Sequence, residues 1–147
     1  MMLAGCAIST PFSGPGYSSR AGVAFQENAP VVIAISKAVM RQDGVKRSEF
    51  WHHVSTVRDS LDDQPGFIGH SIRRELFGTA AWTMTVWTDE ASLDNFVASD
   101  VHQTAIREAF DALETTRFVR FVAIAGDIPI AWDRALVVLE DEGRAYD

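Results

Sequence analysis

The pattern of apolar and polar positions divides residues 31–141 into strands and helices. Residues 31–40 are β-branched and apolar on both alternating faces, which is typical of a strand buried on two sides. Residues 46–64 carry apolar side chains at helical spacing, and the Pro65-Gly66 pair ends this predicted helix. The remaining predicted elements are strands at 67–76, 80–88 and 117–125, and helices at 89–98, from residue 100 onward and at 132–141.

The order of these elements is strand-helix-strand twice, with a hairpin joining the two halves. This order predicts an α+β fold of the ferredoxin-like, split βαβ type, with a four-stranded antiparallel sheet and helices on one face. The strands are bulky on both faces: Trp82 lies on one side of the third strand and Trp87 on the other. Because helices on one face leave the second face uncovered, we expect a homodimer that forms through the sheets.

His102 is the candidate catalytic residue, because it lies on the inward stripe of the helix that begins at residue 100. A histidine that titrates near neutral pH could take a proton from a phenolic or enolic substrate, giving a carbanion that reacts with oxygen. We expect His70, with Trp82 or Trp87, to meet it in a pocket between sheet and helices that binds a small molecule. In the alternative, His102 bonds a backbone carbonyl and the tryptophans fill the core or the dimer interface.

Residues 1–30 are rich in Ser, Gly, Ala and Pro, and we expect them to be largely flexible. Within them, Leu-Ala-Gly-Cys at residues 3–6 resembles the bacterial lipoprotein box, in which the cysteine is acylated and a polar tether follows. Only five residues precede Cys6, too few for a signal peptide. Either the true start lies upstream and Cys6 anchors the protein to a membrane, or the protein is cytosolic with an irregular N-terminus.

Composition and charge exclude several other classes. A net charge of -7 with scattered basic residues argues against nucleic-acid binding. One cysteine cannot form an intrachain disulfide or a multi-thiolate metal site. His52 and His53 are adjacent on a helix and point about 100° apart, so they cannot share a metal ion. No apolar run reaches the roughly 18 residues that a membrane span needs.

Several short motifs resemble the dimeric α/β-barrel superfamily, which contains the antibiotic biosynthesis monooxygenases. They are Gln-Pro-Gly-Phe at residues 64–67, Thr-Val-Trp at 85–87, and Ser99 followed shortly by His102. Ala-Gly-Asp-Ile-Pro at 125–129, with its following helix, is closest to an uncharacterised family within that superfamily. The resemblance covers a domain at residues 31–143 and leaves 144–147 as a tail.

The resemblance also bears on cofactors, because the superfamily includes both cofactor-free oxygenases and haem-degrading enzymes. The haem-degrading members need a tryptophan where this chain has Phe96 and an axial histidine where it has Ile106. Haem is therefore disfavoured, no cofactor is expected, and Phe96 and Ile106 are expected to contact substrate. The leading hypothesis is a small-molecule-binding protein and cofactor-free monooxygenase with His102 as base. The alternative is a non-catalytic binding or structural lipoprotein.

Overall fold

A computed structural model describes residues 6–145. Residues 3–5 of the lipoprotein-like box and residues 146–147 of the tail lie outside that range. The strands are β1 (Ala7–Ser9), β2 (Tyr17–Ser18), β3 (Gly22–Val23), β4 (Pro30–Met40), β5 (Phe67–Glu75), β6 (Ala80–Trp87) and β7 (Leu113–Ile124). The helices are α1 (Gly44–Leu61), α2 (Glu90–Val97), α3 (Asp100–Ala109) and α4 (Trp132–Glu142).

An antiparallel sheet in the order β1-β5-β6-β4-β7 organises the molecule. Strands β5, β6, β4 and β7 are the four core strands of the ferredoxin-like pattern, and β1 extends the sheet at the β5 edge. The predicted α+β fold is therefore confirmed. β4 is an interior strand between β6 and β7, and elements of the chain pack on both of its faces, which explains why its sequence is apolar on both.

Helices α1, α2 and α3 pack on one face of the sheet, as the sequence predicts. Side chains from the sheet and these helices form two apolar clusters, one around Trp87 and one around Met40. The Trp87 cluster also contains Val32, Leu61, Phe67, Leu93 and Phe96. The predicted stripe of α1 faces this core, because Phe50 and Leu61 are buried.

The opposite face is covered by the chain itself. Ala135 and Leu139 of α4 are buried in a third cluster with Ile33 and Ile35, and Phe12 from the N-terminal segment packs against the same cluster. Sheet-to-sheet dimerisation was predicted because helices on one face would leave the other face of the sheet uncovered. That premise is wrong, because α4 and the N-terminal segment cover this face.

Residues 7–23, which were expected to be flexible, form three short strands instead. β1 pairs with β5 at the sheet edge, and β2 pairs with β3 as a small hairpin. Gly69 makes room for this segment, because a Cβ atom there would stand 2.7 Å from the Phe12 ring. Backbone pairing and the packing of the half-buried Phe12 ring therefore stabilise this stretch, and neither produces a sequence period.

The alternation predicted for β5 is also corrected at one position. The pairing register shifts between Phe67 and Gly69, so a β-bulge inserts an additional residue. Ile68 consequently packs with Ile33 on the α4 face, whereas His70 pairs with Thr85 on the helix-covered face. An uninterrupted strand over residues 67–76 would place Ile68 and His70 on the same face.

Candidate functional site

His102 is fixed in its orientation by the junction of α2 and α3. Ser99 caps α3, and its Oγ accepts from the His102 backbone N–H at 3.4 Å. The His102 Nδ1 lies 3.0 Å from the carbonyl oxygen of Val97. Because a carbonyl oxygen only accepts, Nδ1 must carry the proton, and the neutral ring therefore has its lone pair on Nε2.

Burial keeps the His102 imidazole in its neutral form. Desolvation lowers the pKa of His102 below the ordinary histidine value, and the hydrogen bond to Val97 opposes this effect only in part. A neutral imidazole with a free Nε2 lone pair can accept a proton at neutral pH. The side chain thus has the protonation state that a general base needs.

A chain of aromatic contacts runs from His102 to His70 across the helix-covered face. The ring of His102 lies 4.9 Å from Phe96, Phe96 stacks on Trp87 at 5.1 Å, and Trp87 lies 5.3 Å from Phe67. Phe67 lies 6.0 Å from His70, whose pKa is lowered by burial. The Trp87 indole N–H donates to Thr85 Oγ1 at 2.9 Å, so its polar group is satisfied.

The structure brings some of the predicted site residues together and separates others. His102, Phe96, Trp87 and His70 share the helix-covered face. Trp82 lies on the opposite face, in the cluster with α4. Ile106 is one helical turn after His102 and is 39% exposed.

The space around the aromatic chain is filled by side chains. Trp87 is 0% exposed and Phe96 is 6% exposed, so the sheet-helix interior at this point is core. Among residues 6–145, two clefts lie on the α4 face. One, of about 180 Å³, is lined by Phe12, Ser71 and Trp132 among others. The other, of about 440 Å³, is lined by Lys37, Trp82 and Arg117 among others.

The basic residues of the larger cleft were missed by sequence reasoning. Lys37 and Arg117 join Trp82 through the strand register, and no sequence period reveals that register. The signal available in the sequence was a basic residue inside each of three predicted strands.

Among residues 6–145, no three His, Cys, Asp or Glu side chains are grouped closely enough to hold a metal ion. His53 Nε2 lies 3.4 Å from Glu108 Oε2. The rings of His52 and His53 meet edge to face, with their centroids 5.8 Å apart. Within the same part of the chain, no helix is long and apolar enough to cross a membrane.

The sequence of residues 38–108 matches the model of the antibiotic biosynthesis monooxygenase family. This range runs from β4 to the end of α3 and includes the whole aromatic chain. This part of the chain is therefore similar to the antibiotic biosynthesis monooxygenases. No protein of curated function matches the sequence.

Several solved structures share the fold at low sequence identity. SnoaB from Streptomyces nogalater, a cofactor-independent oxygenase, is 16% identical, with a TM-score of 0.53 over 69% of this chain and 98% of its own. A conserved protein from Methanosarcina mazei is 18% identical, with a TM-score of 0.58 over 65% of this chain and 94% of its own. A structure from Lactobacillus acidophilus is 15% identical, with a TM-score of 0.55 over 83% of this chain. The chain spans 51% of that protein's length.

Proposed function

We propose that the protein is a cofactor-free monooxygenase that acts on a small aromatic or enolic molecule, with His102 as general base. The observation that carries the proposal is the hydrogen bond from His102 Nδ1 to Val97, which leaves the Nε2 lone pair free on a neutral ring. The family match and the likeness to a cofactor-independent oxygenase support this reaction class.

The proposed reaction needs oxygen and no other co-reactant. His102 Nε2 takes a proton from an acidic C–H or O–H group of the substrate, and the resulting carbanion gives an electron pair to O₂. The peroxide formed at that carbon loses water and leaves a carbonyl group, so a CH₂ group and one O₂ become a C=O group and one H₂O. Phe96 packs against the His102 ring and supports it from the core side.

The test measures oxygen uptake with anthrone, a carbon acid whose CH₂ group lies between two aromatic rings. We expect kcat/KM to fall about 100-fold or more in His102→Ala, since general base catalysis contributes about 10²- to 10⁴-fold. The rate of the native protein should rise with pH through the His102 pKa and then level off. An exposed histidine provides the matched control, His52→Gln, which should keep full activity. Equal uptake by the native protein and His102→Ala would refute the role of His102.

The second candidate is a non-catalytic binding or structural lipoprotein, and Cys6 favours it. Cys6 is an exposed free thiol immediately before β1. Because β1 pairs with the sheet edge, an acyl group at Cys6 would hold the domain close to a membrane without a long tether. Mass spectrometry of the protein from its native cells tests this proposal: an acylated Cys6 supports it, and a free Cys6 preceded by an intact Met1 refutes it.

We also propose that the protein is a homodimer. With the α4 face covered, β7 supports this assembly best, because it is an edge strand whose Val122 and Ile124 side chains are 63% and 41% exposed. Sedimentation velocity tests it: a dimer that becomes monomeric in Val122→Asp supports the proposal. A monomer at all concentrations contradicts it.

A further inference from the structure

Three basic side chains and one tryptophan lie in a single row across the four core strands. Strand pairing sets Arg73 of β5 opposite Trp82 of β6, Trp82 opposite Lys37 of β4, and Lys37 opposite Arg117 of β7. Directly opposed residues share a face of the sheet. The row therefore collects three positive charges on the α4 face of a chain whose net charge is -7.

The charges of this row are not balanced by ion pairs within residues 6–145. Lys37 Nζ and Arg73 Cζ lie 5.5 and 5.8 Å from the centre of the Trp82 ring, which is a cation–π geometry. Arg117 donates from Nε and Nη2 to the carbonyl oxygens of Leu139 and Glu140 at the end of α4, at 3.0 and 2.7 Å. Lys37 Nζ has no hydrogen-bond acceptor in this part of the chain, and Arg73 Nε is buried without one.

The cleft of about 440 Å³ opens beside this row. Its volume falls within the range of about 300–1,000 Å³ that small-ligand pockets occupy. Lys37, Trp82 and Arg117 line it, Leu136 and Leu139 form an apolar wall, and Glu140 is the acidic lining residue. An aromatic surface, an apolar wall and an ammonium group that lacks an acceptor are complementary to one kind of ligand, a flat apolar molecule with one negative charge.

We propose that this cleft binds a small aromatic carboxylate. The ligand's ring packs against Trp82 and Leu136, and its carboxylate accepts hydrogen bonds from Lys37 Nζ. Arg117 adds positive potential while it holds the end of α4, and Arg73 supports the Trp82 ring from outside the cleft lining. The site lies on the opposite face of the sheet from His102, so it is independent of the proposed oxygenase chemistry.

The two lysines of the chain provide a matched pair for the test. We expect calorimetric titration with 2-naphthoate to show binding that weakens with added salt, and 2-naphthalenemethanol, its uncharged analogue, to bind more weakly. Lys37→Gln should weaken 2-naphthoate binding about tenfold or more, as expected for a lost hydrogen bond to a charged group. The same change should leave binding of the alcohol within about twofold. Lys46→Gln, in the first turn of α1, should bind like the native protein.

The affinities of three further variants test the proposal. Lys37→Arg retains the positive charge and should restore most of the affinity, even if Lys37→Gln folds less well. Trp82→Leu should weaken the binding of both 2-naphthoate and the alcohol. His102→Ala should change the affinity for neither ligand, which separates this site from the proposed oxygenase site. Equal affinity for the acid and the alcohol, equal effects of Lys37→Gln and Lys46→Gln, or no binding at millimolar 2-naphthoate would overturn the proposal. A native dimer that Lys37→Gln dissociates would also overturn it, because a second copy of the chain would then occupy the cleft.

Discussion

The burial of His102 makes folding stability depend on pH. Its pKa is lowered in the folded protein because burial disfavours the charged ring, so the unfolded chain binds the proton more tightly. This group therefore destabilises the fold as pH falls below the ordinary histidine pKa of about 6.5, and the loss levels off below the folded pKa. We expect the free energy of unfolding of His102→Gln, measured with urea, to decline less between pH 8 and pH 5 than that of the native protein.

Substitutions of His70 and His52 are the comparison variants for this prediction. The pKa of His70 is also lowered by burial, with the carboxylate of Asp62 acting in the opposite direction, so His70→Gln should reduce the acid sensitivity too. His52 is exposed, and His52→Gln is the control for replacing a histidine on the surface. If His102→Gln lost stability in acid as steeply as the native protein, the folded-state pKa of His102 would have to lie near its unfolded value.

The sequence alone predicted that His102 points inward, because helical geometry fixes that direction from the spacing of its neighbours. It did not predict what His102 meets. The contacts with Val97 and Phe96 depend on how α3 turns away from α2 after Ser99, and that angle is a property of tertiary packing. The buried Nε of Arg73, which has no hydrogen-bond acceptor within residues 6–145, was not predictable for the same reason.

At the scale of elements, the stacking of Phe96 on Trp87 joins α2 to the sheet. Phe96 is 6% exposed and stacks on a tryptophan that is 0% exposed. We expect Phe96→Ala to lower the free energy of unfolding by about 3–5 kcal/mol, because it removes a buried ring and leaves a cavity. Urea denaturation followed by circular dichroism measures this change.

Phe77 is the matched control for that prediction. It lies in the turn between β5 and β6 and is 94% exposed. Phe77→Ala should change the free energy of unfolding by about 0.5 kcal/mol or less. Similar losses in both variants would show that α2 is not anchored through Phe96.

Long elements with a clear period were predictable to within a few residues, and short ones were not. β4 was expected at 31–40 and spans Pro30–Met40, and α4 was expected at 132–141 and spans Trp132–Glu142. β1 has three residues and β2 and β3 have two each, which is too short for an alternation to register. By helical spacing, Leu113 lies on the same apolar stripe as the inward residues of α3. In the structure β7 begins at Leu113 instead, because Leu113 pairs with Met40 of β4 and this pairing overrides the helical period.

For the whole molecule, the decisive difference between sequence and structure is the location of α4. Its amphipathic pattern showed that one side of the helix is buried, but a pattern does not say against which surface. The helix packs over the central strands on the face opposite α1–α3. It thereby covers the face that the dimer argument relied on and closes one wall of the cleft beside Trp82.

Undocking α4 should expose that face and promote self-association. Leu139 is 3% exposed and packs with Ala135 against the sheet, whereas Val137, two residues earlier on α4, is 59% exposed. Leu139→Asp buries an unpaired charge, so we expect a loss of about 3 kcal/mol or more in the free energy of unfolding. Sedimentation velocity should then show a concentration-dependent shift to larger species, because the strands that α4 covered are apolar. Val137→Asp adds the same charge on the solvent side of α4 and should leave both measurements unchanged. If Leu139→Asp had the same free energy of unfolding and the same sedimentation as Val137→Asp, α4 would not cover this face of the sheet. The face would then be free for a sheet-to-sheet dimer, as the sequence predicted.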